Sequence, residues 1–76
     1  MTDAGKMPVA ERVTVSLLHD ASAAMARIRL RTGLTKTDII NRALVLYDFI
    51  DDETRKGKQM LLRDEEGYQE LVRIVS

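Results

Sequence analysis

Hydrophobic and polar positions change their period along this chain. From Arg12 to Leu17 the run RVTVSL alternates strictly, with Val13, Val15 and Leu17 on one face and Arg12, Thr14 and Ser16 on the other, which predicts a strand. Beyond it the apolar residues Ala21, Ala24, Met25 and Ile28, followed by Thr32, fall at helical spacing. With Asp20 as N-cap and Gly33 just past the end, they predict a first helix of about three turns. Thr35-Lys36-Thr37-Asp38 then reads as a capping box, in which a threonine side chain bonds the Asp38 amide while the carboxylate reaches back. Ile40, Ala43, Leu44 and Tyr47 mark one face of this second helix, and Ile39, Leu46 and Ile50 widen it. Arg55 and Lys56 suit the negative end of its dipole, and Gly57 stops it.

The remaining segment, Lys58 to Val75, predicts a β-hairpin: KQMLLR and YQELVRIV flank DEEG, with Gly67 at the turn position that needs positive φ. A helical alternative exists, because Tyr68, Leu71, Val72 and Val75 also recur at i, i+3, i+4 and i+7. Three segments result: a flexible arm over residues 1–10, a domain over 11–57, and a hairpin extension over 58–76. Leu30 lies opposite the first helix's apolar stripe, and Val45 and Phe49 form an i, i+4 pair outside the main face of the second. Met60, Leu62, Leu71, Val72, Ile74 and Val75 are the residues expected to cover part of that extra apolar surface.

Composition turns this pattern into a question of partners. A chain of 76 residues buries barely enough surface to offset its conformational entropy. With no cysteine and a single histidine, disulfides and metals give no help, and oligomerisation is left. The short strand needs an edge partner, and its own copy in a second chain is one, making an isologous homodimer with an intermolecular antiparallel ribbon resting on four helices. No apolar run spans a bilayer and residues 1–10 lack a signal peptide's apolar stretch, so a cytoplasmic protein with no membrane partner is expected. Net charge is zero. Its distribution is uneven, with seven Lys/Arg against four acids up to Val45 and five against eight beyond, so the first half is where a polyanion would bind.

The run RVTVSLLHDASAAMARIRLRTGLTKTDIINRALVLY resembles the ribbon-helix-helix family of DNA-binding proteins, the Arc/MetJ-like repressors, over about Arg12 to Tyr47. GLTKTDIINRAL carries most of the likeness. The resemblance implies a mainly α (α+β) fold: an intertwined ribbon-helix-helix homodimer, here with a C-terminal β-hairpin added. It also implies a dimeric transcriptional regulator, acting as a repressor, that reads double-stranded DNA in the major groove. Carried over by position, Arg12, Thr14 and Ser16 would contact base edges, where arginine bridges guanine O6 and N7 and hydroxyls donate or accept. Thr35, Lys36 and Thr37 would hold phosphate at the start of the second helix. Dimers side by side on DNA would offset the modest charge.

Other chemistry finds little footing. His19 has no Cys or spaced acidic residues to complete a metal site, and Ser16 and Ser22 have no base nearby in the pattern. Asp48, Asp51, Asp52 and Glu53 read as a solvated helix surface. No cofactor and no enzymatic activity are expected. A second function class is a protein-interaction module or antitoxin whose residues 58–76 bind a protein partner.

Overall fold

The structure, a computed structural model of one chain, describes residues 8–73. Two helices are followed by a two-stranded antiparallel sheet: α1 His19–Thr32, α2 Lys36–Arg55, β1 Met60–Arg63 and β2 Gln69–Val72. The chain divides into two compact units, one up to Arg42 and one from Ala43. The second helix contributes its first turns to one unit and the rest to the other.

In the first unit α1 starts one residue before the expected cap. Leu18, extended at φ −69° and ψ 164°, occupies the cap position without a side-chain bond, and its carbonyl accepts from the Ser22 N–H at 2.9 Å. Asp20 is therefore inside the first turn, where its carboxylate suits the positive end of the helix dipole. At the other end Gly33 is left-handed at φ 72° and donates its N–H to the Arg29 carbonyl at 2.8 Å. Thr32 Oγ1 spans the exit, donating to the Ile28 carbonyl and accepting from the Leu34 N–H. Only Met25 and Ile39, each 7% exposed, are buried among the described residues; Ala24, Ile28, Leu34 and Ile40 are half-buried.

The second unit begins with the later turns of α2, which end in a Schellman motif. Gly57, at φ 92°, donates to the Thr54 carbonyl, and the Lys58 N–H to the Glu53 carbonyl. The two positions that usually share an apolar contact in this motif are here Glu53 and Lys58, and their side chains form an ion pair instead. After Gln59 the chain enters the hairpin, in register Met60 to Val72, Leu61 to Leu71, Leu62 to Glu70 and Arg63 to Gln69. Its turn is built by Asp64, whose Oδ1 accepts from the N–H groups of Glu66 and Tyr68, both at 3.0 Å. The Asp64 carbonyl accepts from Gly67, and Gly67 holds φ 95°, giving a three-residue loop with a glycine bulge. Replacing Asp64 with alanine removes two bonds to backbone donors and is expected to cost about 1–2 kcal/mol of hairpin stability. Faster amide hydrogen exchange at Leu62 and Glu70 than at mid-α2 would report it; unchanged exchange would show that the turn does not depend on the carboxylate.

Sequence expectation and structure part at Arg12 to Leu17. No strand forms there, and the strands lie C-terminal to the helices. The ribbon-helix-helix architecture, with its N-terminal intermolecular ribbon, is thus not the fold of this chain. A strand exists only through a ladder to a neighbour, and within one chain RVTVSL has none, so its alternation leaves Val13, Val15 and Leu17 exposed outside any regular element. The two segments that do pair are separated by a few residues and a turn that closes them, the least costly loop closure available.

The expected covering role of the tail is also not realised by the described residues. Leu30 is 89% exposed and Val45 73%, and Phe49 is exposed as well. Within the second unit Met60 and Val72 are half-buried and, with Tyr47, Ile50 and Leu71, border a half-open cavity of about 480 Å³. Ile74 and Val75 lie outside the described residues.

Candidate nucleic-acid interface

The start of α2 concentrates donors in a single turn. A helix leaves its first N–H groups without intrahelical acceptors. Thr35 Oγ1 takes the Asp38 N–H at 3.1 Å, and the Thr35 carbonyl takes that of Ile39 at 3.0 Å. The return bond of a full capping box, from the Thr35 N–H to the Asp38 carboxylate, is not formed among the described residues. The amides of Lys36 and Thr37 have no acceptor among the described residues, at the positive end of the dipole, and the Lys36 side chain is exposed there. One contributor escapes the sequence reading. Asn41 donates its side-chain N–H to the Thr37 carbonyl at 2.8 Å, one turn along, and braces the turn that carries the free amides. An Asn four residues after a Thr is the signal, since i and i+4 are neighbours on a helix.

Arg12, Thr14 and Ser16 are exposed on the irregular segment before α1 and make no hydrogen bond with any described residue. They are not joined to the Thr35–Thr37 turn by any bond. Their side chains are thus available, and their spacing of two residues is kept.

Ion pairs gather at the end of α2, and the second unit's other two cations, Arg63 and Arg73, form none with a described residue. Every ion pair among the described residues lies between Asp51 and Lys58: Arg55 to Asp51 at 2.9 Å, Lys56 to Asp52 at 3.0 Å and to Glu53 at 3.9 Å, and Lys58 to Glu53. The hydrogen bond from Arg55 to the Asp51 carboxylate, aided by their attraction, raises the Arg55 pKa above its ordinary value. Two of the four acids expected to form a plain solvated surface, Asp51 and Asp52, thus pair with cations one turn on, and Glu53 pairs with Lys56 and Lys58. By contrast Arg12, Arg27, Arg29, Arg31, Lys36 and Arg42, all in the first unit, form no ion pair with a described residue.

Among the described residues no three His, Cys, Asp or Glu side chains are grouped to hold a metal ion, and no helix is long and apolar enough to cross a membrane. No protein-family model, curated protein or solved structure matches the chain.

Proposed function

We propose that this chain is a DNA-binding protein that regulates transcription by occupying its site, and that it works as an assembly of identical subunits, a homodimer at least. The observation that carries the reading is the set of six cations in the first unit left without acidic partners, while the cations at the end of α2 are neutralised within the chain. Unpaired arginine and lysine on one unit attract a polyanion without a net positive charge on the whole molecule. Phosphate is held at the Lys36 and Thr37 amides, with the Lys36 ammonium beside them and the Thr35 and Thr37 side chains adding bonds. Base edges are met by Arg12, Thr14 and Ser16, which stand exposed on the segment before α1.

Two substitutions separate these roles. Arg12→Ala is expected to cost about 1–3 kcal/mol on a specific site and to relax its sequence preference, whereas Lys36→Ala weakens all sequences alike and lowers the salt dependence by about one phosphate contact. Selection from a random duplex pool with parent and Arg12→Ala protein reads the first, and titration across salt concentrations reads the second. Failure of the parent to enrich any motif or to bind duplex DNA at all would sink the reading.

A second reading, in which residues 58–76 hold a protein partner, is favoured by the Leu61 and Leu71 side chains, paired across the hairpin on one face and 49% and 41% exposed. Co-purification of a partner by the parent and not by a chain lacking residues 58–76 would support it.

A further inference from the structure

We propose that a second copy of this chain binds the outer edge of β1, strand to strand and antiparallel, centred on Leu61, so that two hairpins join into a four-stranded sheet. The inference concerns the hairpin alone and holds whether or not the chain binds DNA. It starts from the ladder. The Asp64 N–H donates to the Tyr68 carbonyl at 2.9 Å, and bonded pairs recur at every second rung. Leu62 and Glu70, and Met60 and Val72, are therefore the bonded pairs, while Leu61 and Arg63 turn their N–H and C=O groups to the outer edge of β1. No other described element pairs with either strand, and a two-stranded sheet alone is marginal in water.

A symmetric antiparallel pairing at this edge is centred on an outward residue, Leu61 or Arg63, or on Met60 or Leu62 beside them. The Met60 centre opposes Lys58 to Leu62, and the Leu62 centre opposes Leu61 to Arg63 and Met60 to Asp64, each apolar against charged. The Arg63 centre sets two guanidinium groups side by side, which is destabilising. Centring on Leu61 sets Leu61 against its twin, Met60 against Leu62, and Lys58 against Asp64 of the second copy, twice over by symmetry. The hairpin is charged for this arrangement, with Lys56 and Lys58 at its base and Asp64, Glu65 and Glu66 at its tip. Lys58 has three donors and can keep Glu53 while reaching a second carboxylate, and Asp64 spends only Oδ1 on its turn. The edge of β2 offers nothing comparable: centred on Leu71 it opposes Gln69 to Arg73 and Glu70 to Val72, with no ion pair.

The absence of cysteine makes the register testable in the full chain. Across the proposed axis the two Leu61 Cα atoms lie about 5.5 Å apart, the spacing of a bonded pair and within disulfide reach. The two Leu71 Cα atoms lie three strand spacings apart, about 14 Å. Leu61→Cys protein treated with oxidised glutathione is expected to run as a disulfide-linked dimer on a non-reducing gel, at least tenfold faster than Leu71→Cys, although both side chains are similarly exposed. Equal rates, or a faster Leu71→Cys, would overturn the proposal. In the Leu61→Cys background Lys56→Glu should slow linking at least tenfold at low salt, and adding Glu66→Lys, which this register places opposite residue 56 of the second copy, should restore it. On one hairpin these two residues sit at opposite ends, so recovery supports a contact between chains, and a failure to recover counts against this register.

Discussion

A hundredfold dilution is expected to lower the melting temperature of this protein by about 5–10 °C, with the cooperative transition lost altogether once subunits separate. The expectation follows from what the single chain leaves outside. Two side chains, Met25 and Ile39, are buried, against fifteen large apolar side chains left exposed among the described residues. A domain of this size gains its stability from apolar burial or from a staple, and there is no disulfide to serve as one. Surface of this kind, spread over Val13, Val15 and Leu17 before α1 and Leu44 to Phe49 on α2, marks association rather than a finished monomer. For a dimer that folds as it associates, a hundredfold change in concentration alters the folding balance by about 2.7 kcal/mol, which sets the size of the shift. Calorimetry or circular dichroism over that concentration range, beside sedimentation velocity, measures it. A sharp transition at one temperature throughout would mean that the isolated chain is stable and that the exposed apolar residues serve something other than self-association.

Ile39→Ala should be the most damaging single truncation in the first unit, at about 2–4 kcal/mol, enough to leave a marginal fold largely unfolded at 37 °C. Ile39 is 7% exposed and one residue past the capped turn, so its loss empties part of the small interior beside the α2 start that carries the free amides of Lys36 and Thr37. Leu30→Ser is the counterpart. At 89% exposure Leu30 has almost no contacts to lose within the chain, so its truncation should change stability by less than about 0.5 kcal/mol in dilute protein. Chemical denaturation of both variants at low and high concentration separates the two sources of stability. A Leu30→Ser penalty that appears only at high concentration assigns Leu30 to a contact between subunits, whereas an Ile39→Ala penalty below 1 kcal/mol would show that the helices do not depend on this interior.

Both helices and the hairpin were legible in the sequence because their signals are local. Gly33, Gly57 and Gly67 sit where the backbone takes positive φ, Thr35 bonds the Asp38 amide as the capping pattern suggests, and DEEG folds on the Asp64 carboxylate. RVTVSL was not legible in the same way. Alternation says which residues share a face of a strand, but not whether a partner is within reach, and the chain supplies none. Asp20 misled for a related reason: a good capping residue stands next to the true boundary, yet Leu18 turns the chain without any side-chain cap. The candidate site divides along the same line. The Thr35–Thr37 turn came from adjacent residues, while the split between paired and unpaired cations depends on acids one turn away at Asp51, Asp52 and Glu53, visible only once the helix is laid out.

The exit from α2 is held by charge at the spot where similar exits are held by a greasy contact. Apolar contacts tighten as salt rises, whereas salt screens charge over about 10 Å at 0.1 M and about 3 Å at 1 M, less so for a pair with one partly covered member such as Glu53. Ionic strength therefore acts on this joint through one side-chain contact, while the backbone bonds of the motif hold the turn at any salt concentration.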